Sequence, residues 1–126
     1  MHNILFICTA NIFRSRFAEE VFNFLAIKER IPAKAFSAGL KVGEYHIRKI
    51  YRPALEQLEK LNIKPKRPNE LSLHIDELEL TKYDQLICMD EAEHKPMVLS
   101  NSKLKEFNFE YWDIIDEPKV QSDVSL

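Results

Sequence analysis

The run Ile4-Leu5-Phe6-Ile7 followed by Cys8-Thr9-Ala10-Asn11-Ile12-Phe13-Arg14-Ser15 decides how the chain is read. The apolar residues lead into a short loop, and a helical pattern opens near Arg16. Strand, loop and helix in that order place the loop at the C-terminal end of a buried strand and at a helix N-terminus. Backbone N–H groups can turn inward there, and the helix dipole adds partial positive charge, so the loop suits an anion. Cys8 opens the loop and Arg14 closes it, with five residues between them. Arginine can grip two oxygens of a phosphate at once, which lysine cannot do in that planar way. The same field favours the thiolate, the nucleophilic form of cysteine. The stretch reads as a phosphate cradle with a nucleophile at its floor.

Working outward, Phe17, Ala18, Val21, Phe22 and Leu25 recur at helical spacing and predict an amphipathic helix from about Arg16 to Ile27, its aromatic stripe packed in the core. Ala35-Phe36-Ser37-Ala38 reads as a short strand stopped by Gly39. Leu40 to Arg52, which holds Gly43, Tyr45 and His46, is less regular and reads as a connecting loop. Pro53 suits a first helical turn, with Ala54, Leu55, Leu58 and Leu61 as the apolar face. Pro65 and Pro68 bracket a basic turn, Lys64 to Arg67, read as a solvated face. Leu73 to Leu80 is predicted helical, and Tyr83 to Met89 a buried strand ending in Asp90. Glu91 to Leu99 fits a helix despite Pro96, and Phe107 to Trp112 alternates as a last strand.

Strands alternating with helices argue an α/β fold, a three-layer α/β/α arrangement around a four-stranded parallel sheet. The flavodoxin-like order 2-1-3-4 would set the Cys8 loop where the strand order reverses, the place where such sheets bind ligands. At 126 residues the chain is expected to form one domain, residues 1–126. A net charge of −2 gives no footprint for nucleic acid. No apolar run approaches a membrane span, and Met1-His2-Asn3-Ile4 enters the first strand without a signal peptide, so no membrane partner is expected. Cys8 and Cys88 fall in different strand patterns, which argues against a disulfide framework and fits a reducing cytoplasm. Cys88 reads as a small hydrophobe in a central strand. The Cys and His spacing shows no zinc signature, and neither metal nor cofactor is expected.

The loop resembles that of the low-molecular-weight protein tyrosine phosphatases, Cys-x-Gly-Asn-x-Cys-Arg-Ser near the N-terminus. Cys8, Asn11, Arg14 and Ser15 fall on matching positions, and Ser37-Ala38-Gly39 and Met89-Asp90 extend the likeness. The resemblance is to a bacterial-type member, diverged and short at the C-terminus. It implies that Cys8 becomes phosphorylated, that Arg14 clamps phosphate, and that the loop from Thr9 through Ala10, Asn11, Ile12 and Phe13 to Ser15 binds it. Asn11 would hold the loop's unusual backbone and Ser15 would stabilise the Cys8 thiolate. Leu40 to Arg52 would overhang the site and help choose substrates. Relatives place a histidine after the second helix to support the loop asparagine; this chain has Lys66 or Arg67 there, and His74 reads as a surface residue at a helix start.

Transfer to a thiolate needs an acid for the leaving oxygen. The family supplies it from a late Asp-Pro loop, and here Trp112-Asp113-Ile114-Ile115-Asp116-Glu117-Pro118 puts Asp116 in the acid position. Asp113 is the rival and is expected to close the strand; the extra Glu117 stands where proline is usual. Ala10 replaces a glycine, which would strain a site of positive φ. Phe13 replaces a cysteine that in many relatives traps an oxidised nucleophile.

The resemblance implies an enzyme that hydrolyses phosphotyrosine in proteins, and small aryl phosphates, through a phosphocysteine. Tyrosine-phosphorylated protein would be its substrate, and phosphate or vanadate its inhibitors. Alternatives stay open: arsenate reduction on the same scaffold, a sugar-phosphotransferase carrier (which does not require the Arg14-Ser15 pair), or a non-catalytic phosphoprotein-binding module.

Overall fold

The computed structural model describes residues 1–42 and 49–114. Strand β1 (His2–Cys8) is followed by helix α1 (Arg14–Lys28), β2 (Ala33–Gly39) and α2 (Arg52–Lys60). Two 3₁₀ turns, Ile75–Glu77 and Leu80–Lys82, precede β3 (Gln85–Cys88), α3 (Glu91–Leu99) and β4 (Glu110–Tyr111). The four strands pair in parallel in the order β2-β1-β3-β4, as the alternation of elements implies.

β1 sits inside the sheet because Ile4, Leu5, Phe6 and Ile7 are all buried. A strand covered on both faces needs such a continuous apolar run. Leu5 and Ile7 face a layer containing Val98 of α3, Leu104, and Ile75 and Leu80 from the 3₁₀ turns. Ile4, Phe6 and Cys8 face the other way, onto Ala18 and Phe22 of α1. Helix α2 packs beside α1, where Phe17, Ala54 and Leu55 meet Phe13 and Ile50.

Two expected elements differ. Leu73 to Leu80 forms no α-helix: His74 accepts the Asp76 N–H at 3.1 Å and Glu77 accepts the His74 N–H at 3.2 Å, closing one tight turn. Leu78 then swings to φ −105° and ψ 151°, so the chain extends before the next turn. Buried Ile75 and Leu80 each anchor one turn in the core; five residues apart, they would fall on nearly opposite faces of a single α-helix. The last strand is only Glu110–Tyr111, paired with Ile87 and Cys88 of β3; Phe107 and Phe109 pack on the core from outside the ladder. The apolar stripes also overreach, since Leu25 is 45% exposed and Leu61 is 53% exposed.

What α1 buries instead is charge. Arg16, Glu19 and Glu20 are each at most 3% exposed. Glu20 accepts the backbone N–H groups of Lys66 and Arg67, both at 2.9 Å. Glu19 accepts the Ser37 hydroxyl and Arg67 Nε, the latter at 2.7 Å. Arg16 donates to the carbonyls of Arg67 and Glu70 at 2.6 and 3.0 Å. A proline-bracketed turn cannot satisfy its own backbone within regular structure, and buried side chains do so here. Burial pushes the Arg16 guanidinium below its ordinary pKa, and neighbouring Glu19 opposes that shift. The Lys64 to Arg67 turn is therefore not simply a solvated face: Arg67 and the turn's backbone are tied down onto α1. This tie delivers the next residues, Ser72 and Leu73, beneath the Cys8 loop.

Candidate active site

The loop leaves β1 at Cys8 and enters α1 at Arg14, between neighbours β2 and β3 on either side of β1, where the strand order reverses. Cys8 is 3% exposed. Its Sγ lies 2.9 Å from Ser15 Oγ and accepts the Asn11 N–H at 3.3 Å. Asn11 Nδ2 donates to the same Ser15 Oγ at 2.8 Å. The loop thus curls around the sulfur, with a hydroxyl and an amide directed at it.

Asn11 takes the strained conformation itself, at φ 58°. Asparagine tolerates the left-handed region better than other non-glycine residues. Among the described residues only Arg30 and Asn62 share a positive φ outside glycine, so Ala10 carries no such strain, and the absent glycine costs nothing there. Support for Asn11 comes from residues that sequence reasoning missed. Ser72 Oγ donates to the Asn11 carbonyl at 2.7 Å, and the Leu73 N–H donates to Asn11 Oδ1 at 3.0 Å. The supporting contact that the resemblance assigns to a histidine falls here to Ser72 and a backbone N–H; Lys66 and Arg67 serve the α1 network, and His74 caps its own turn.

The far wall is set by β2. Leu40 and Lys41 N–H groups donate to the carbonyls of Cys8 and Thr9 at 3.0 and 2.9 Å, so the chain beyond β2 runs against the loop. A Cβ on Gly39 would stand 2.7 Å from the Thr9 carbonyl oxygen and 2.6 Å from Val42 Cγ2. Gly39→Ala must therefore push the loop or Val42 aside, and overpacking of this kind costs about 1–3 kcal/mol. The expected result is a melting temperature several degrees lower, with weaker phosphate protection; an unchanged melting curve would show that the loop yields freely.

Arg14, 4% exposed, is held on its Nη side. Nη1 donates to Glu93 Oε1 at 3.2 Å and Nη2 to Glu93 Oε2 at 2.9 Å, a bidentate fork. Nη1 also donates to the Ile114 carbonyl at 3.1 Å. Glu93 in turn accepts the Thr9 hydroxyl. His94, fully buried, brings Nε2 to 3.2 Å from Glu93 Oε2 and 3.1 Å from Thr9 Oγ1. Its Nδ1 accepts the Asp90 N–H at 3.1 Å, so the ring proton sits on Nε2 and points into this group. The hydrogen bond from His94, with those from Arg14 and Thr9, holds the Glu93 carboxyl well below the usual carboxylate range, against the opposing effect of burial.

Neither Glu93 nor His94 was singled out from the sequence. The usable signal was position: both follow the end of a central strand that neighbours β1, on the side of the sheet edge where the Cys8 loop emerges. Thr9 is buried and directed at Glu93, while Ile12 and Phe13 lean towards α2, the Phe13 ring lying 5.6 Å from that of Tyr51. The Tyr51 N–H donates to the Ile12 carbonyl at 2.6 Å, so the end of the Leu40 to Arg52 segment does reach the loop. Gly43, Tyr45 and His46 lie outside the described residues. So do the candidate acid Asp116 and its neighbour Glu117.

Asp113 behaves as a strand-closing residue: it bridges antiparallel to Asp90, and its side chain is exposed. The carbonyl of the next residue, Ile114, reaches Arg14, so the segment leading to Asp116 begins beside the loop. Cys88 pairs with Ile7 and shares its face of the sheet, opposite to that of Cys8. Burial pushes its thiol up to about 12. No group of His, Cys, Asp and Glu among the described residues could hold a metal ion, and no described helix is long and apolar enough to cross a membrane.

The buried Cys-x5-Arg loop thus stands at the switch point of an α/β sheet, the place where such sheets bind ligands. Residues 3–119 match the family described as low molecular weight phosphotyrosine protein phosphatase, and the chain belongs to that family. Its fold is similar to that of YfkJ from Bacillus subtilis, at 29% identity and TM-score 0.76 over 92% of this chain and 79% of that one. It is similar as well to the low molecular weight protein tyrosine phosphatase from T. tengcongensis, at 25% identity and TM-score 0.75 over 99% and 88% of the two chains. An arsenate reductase from Archaeoglobus fulgidus shares the fold at 24% identity and TM-score 0.69, over 96% and 86%. The sequence finds no match among curated proteins.

Proposed function

We propose that this phosphatase scaffold hydrolyses phosphotyrosine in proteins, and small aryl phosphates, through a phosphocysteine on Cys8. The observation that carries the reading is the loop itself, with Ser15 Oγ and the Asn11 N–H both directed at a buried Cys8 Sγ. A sulfur as buried as that of Cys8 is reached by a long phenol ester more readily than by a short alkyl phosphate. The family match and the T. tengcongensis enzyme lend support. In this reading Cys8 Sγ attacks phosphorus, the S–P bond forms as the P–O bond to the phenol breaks, and Asp116 protonates the departing oxygen. Arg14 and the loop amides from Thr9 to Ser15 hold the equatorial oxygens of a loose transition state. Water then attacks phosphorus as the Asp116 carboxylate takes its proton back, the S–P bond breaks, and inorganic phosphate leaves from the regenerated thiolate. Phosphate and vanadate would compete for the same cradle.

Arsenate reduction requires a second thiol to form a disulfide with the first. The opposed faces of Cys8 and Cys88 weigh against Cys88 filling that part. The deciding experiment measures release of phosphate from a phosphotyrosine peptide, with phosphoserine peptide and arsenate as comparisons. Turnover confined to the phosphotyrosine peptide is expected; thiol-dependent arsenate reduction without it would overturn the reading.

The acid assignment makes a further prediction. General acid catalysis contributes about 10²–10⁴-fold where the leaving group needs a proton. Asp116→Asn should slow phosphotyrosine hydrolysis by that order while slowing an activated aryl ester much less. Asp113→Asn, with its exposed carboxylate on the strand bridge, should leave both rates nearly alone. The opposite pattern would shift the acid to Asp113, and no leaving-group dependence in either variant would mean that Glu117, or no residue at all, supplies the proton.

A further inference from the structure

We propose that Glu93, fixed by Thr9 and His94, is the positioning residue that sets the orientation of Arg14 for oxyanion binding; this rests on the reading of Cys8 and Arg14 given above. A guanidinium on a long side chain has several rotamers, and only some turn a fork of N–H groups toward a phosphate above the loop. Here the Nη1/Nη2 side is engaged by both Glu93 oxygens, at 3.2 and 2.9 Å, and by the Ile114 carbonyl at 3.1 Å.

Glu93 itself has little freedom. Its backbone N–H donates to Asp90 Oδ2 at 2.9 Å at the start of α3. Its carboxylate is met by the Thr9 hydroxyl and by His94 Nε2, whose ring orientation is fixed by the Asp90 N–H on Nδ1. The chain of contacts runs from a backbone amide at the end of β3, through a buried imidazole, to a carboxylate and then to the arginine. Thr9 ties that chain to the loop containing Cys8. Such an arrangement keeps the guanidinium in place before the anion arrives, which is where a preorganised site gains its rate.

The test compares wild type, Glu93→Ala, Glu93→Gln and Glu93→Asp for aryl phosphate turnover and for vanadate and phosphate affinity. Misplacing a catalytic group by about 1 Å costs on the order of 10²-fold. Glu93→Ala and Glu93→Gln are expected to lose kcat by about that factor with KM little changed. Vanadate affinity should fall in step with kcat/KM, and phosphate affinity less. Glu93→Asp, which keeps the carboxylate, should recover part of the rate. Added formate should partly restore kcat in Glu93→Ala but not in wild type.

A merely structural role would lower the active fraction without changing the vanadate affinity of what remains folded, and that result overturns the proposal. So does vanadate binding that tightens in Glu93→Gln, since Glu93 would then be competing with the oxyanion. Should Glu93→Ala fail to fold, the Gln and Asp variants decide. If wild type binds vanadate yet turns nothing over, the hydrolase reading fails, and vanadate affinity alone judges Glu93. If wild type neither binds nor turns over, both fall.

Discussion

Cys8→Ser is expected to abolish hydrolysis of both phosphotyrosine and activated aryl esters while the loop still binds phosphate and vanadate. The nucleophile is lost because a serine hydroxyl, unlike a thiol, is not appreciably ionised near neutral pH, and the loop holds no base to activate it: the neighbour of Cys8 Sγ is the Ser15 hydroxyl at 2.9 Å. The cradle survives because its shape depends on Asn11, Ser72 and the Leu73 N–H rather than on sulfur. Oxygen is smaller than sulfur and keeps the Ser15 contact, so the variant should melt close to wild type. Phosphate release is followed on a phosphotyrosine peptide and binding by the rise in melting temperature with added anion. Substantial activity in a verified Cys8→Ser preparation would remove the phosphocysteine mechanism altogether.

Arg14→Lys is the second large effect. A ligand bound only by the folded state raises the melting temperature by mass action. Millimolar phosphate should do so in wild type and scarcely at all in Arg14→Lys, because an ammonium cannot make the planar fork. Removing a preorganised donor from a site of developing charge typically costs about 10²–10³-fold in kcat, and a loss of that order is expected here. The same change leaves Glu93, whose side chain is 20% exposed, with a poorer partner, so about 1–3 kcal/mol of stability should go with it. An equal phosphate-induced rise in both proteins would locate the anion elsewhere, for instance at Lys64 and Lys66.

These expectations draw unequally on sequence and structure. The sheet order and the place of Cys8, Asn11, Arg14 and Ser15 were legible because they rest on local signals: a continuous apolar run, a motif in register and alternating element types. Those signals are strong where a strand is buried on both faces, as β1 is. The paired 3₁₀ turns were not legible, since acidic Asp76, Glu77 and Glu79 set among Ile75, Leu78 and Leu80 read as the wet side of one helix. The buried charges of α1 were also hidden, because Arg16, Glu19 and Glu20 look solvent-facing until the turn at residues 64–70 folds over them. Glu93 and His94 lie more than seventy residues from Arg14 in the chain. Nothing local marks a helical glutamate as the partner of a distant arginine; only the adjacency of β3 and β1 does so. Asn11 shows the mixed case: the family resemblance implied its backbone role, while Ser72 and Leu73 became identifiable only through the fold.

The central claim is that Cys8 carries the phosphoryl group between substrate and water. Rapid acid quenching of wild-type enzyme mixed with an activated aryl phosphate, followed by mass analysis of the peptide containing Cys8, tests it most directly. A transient adduct of one phosphoryl group on Cys8 is expected, increased in Asp116→Asn if that residue also activates the attacking water, and absent in Arg14→Lys. Turnover with no adduct on Cys8 at any quench time, or an adduct on another residue, would contradict it.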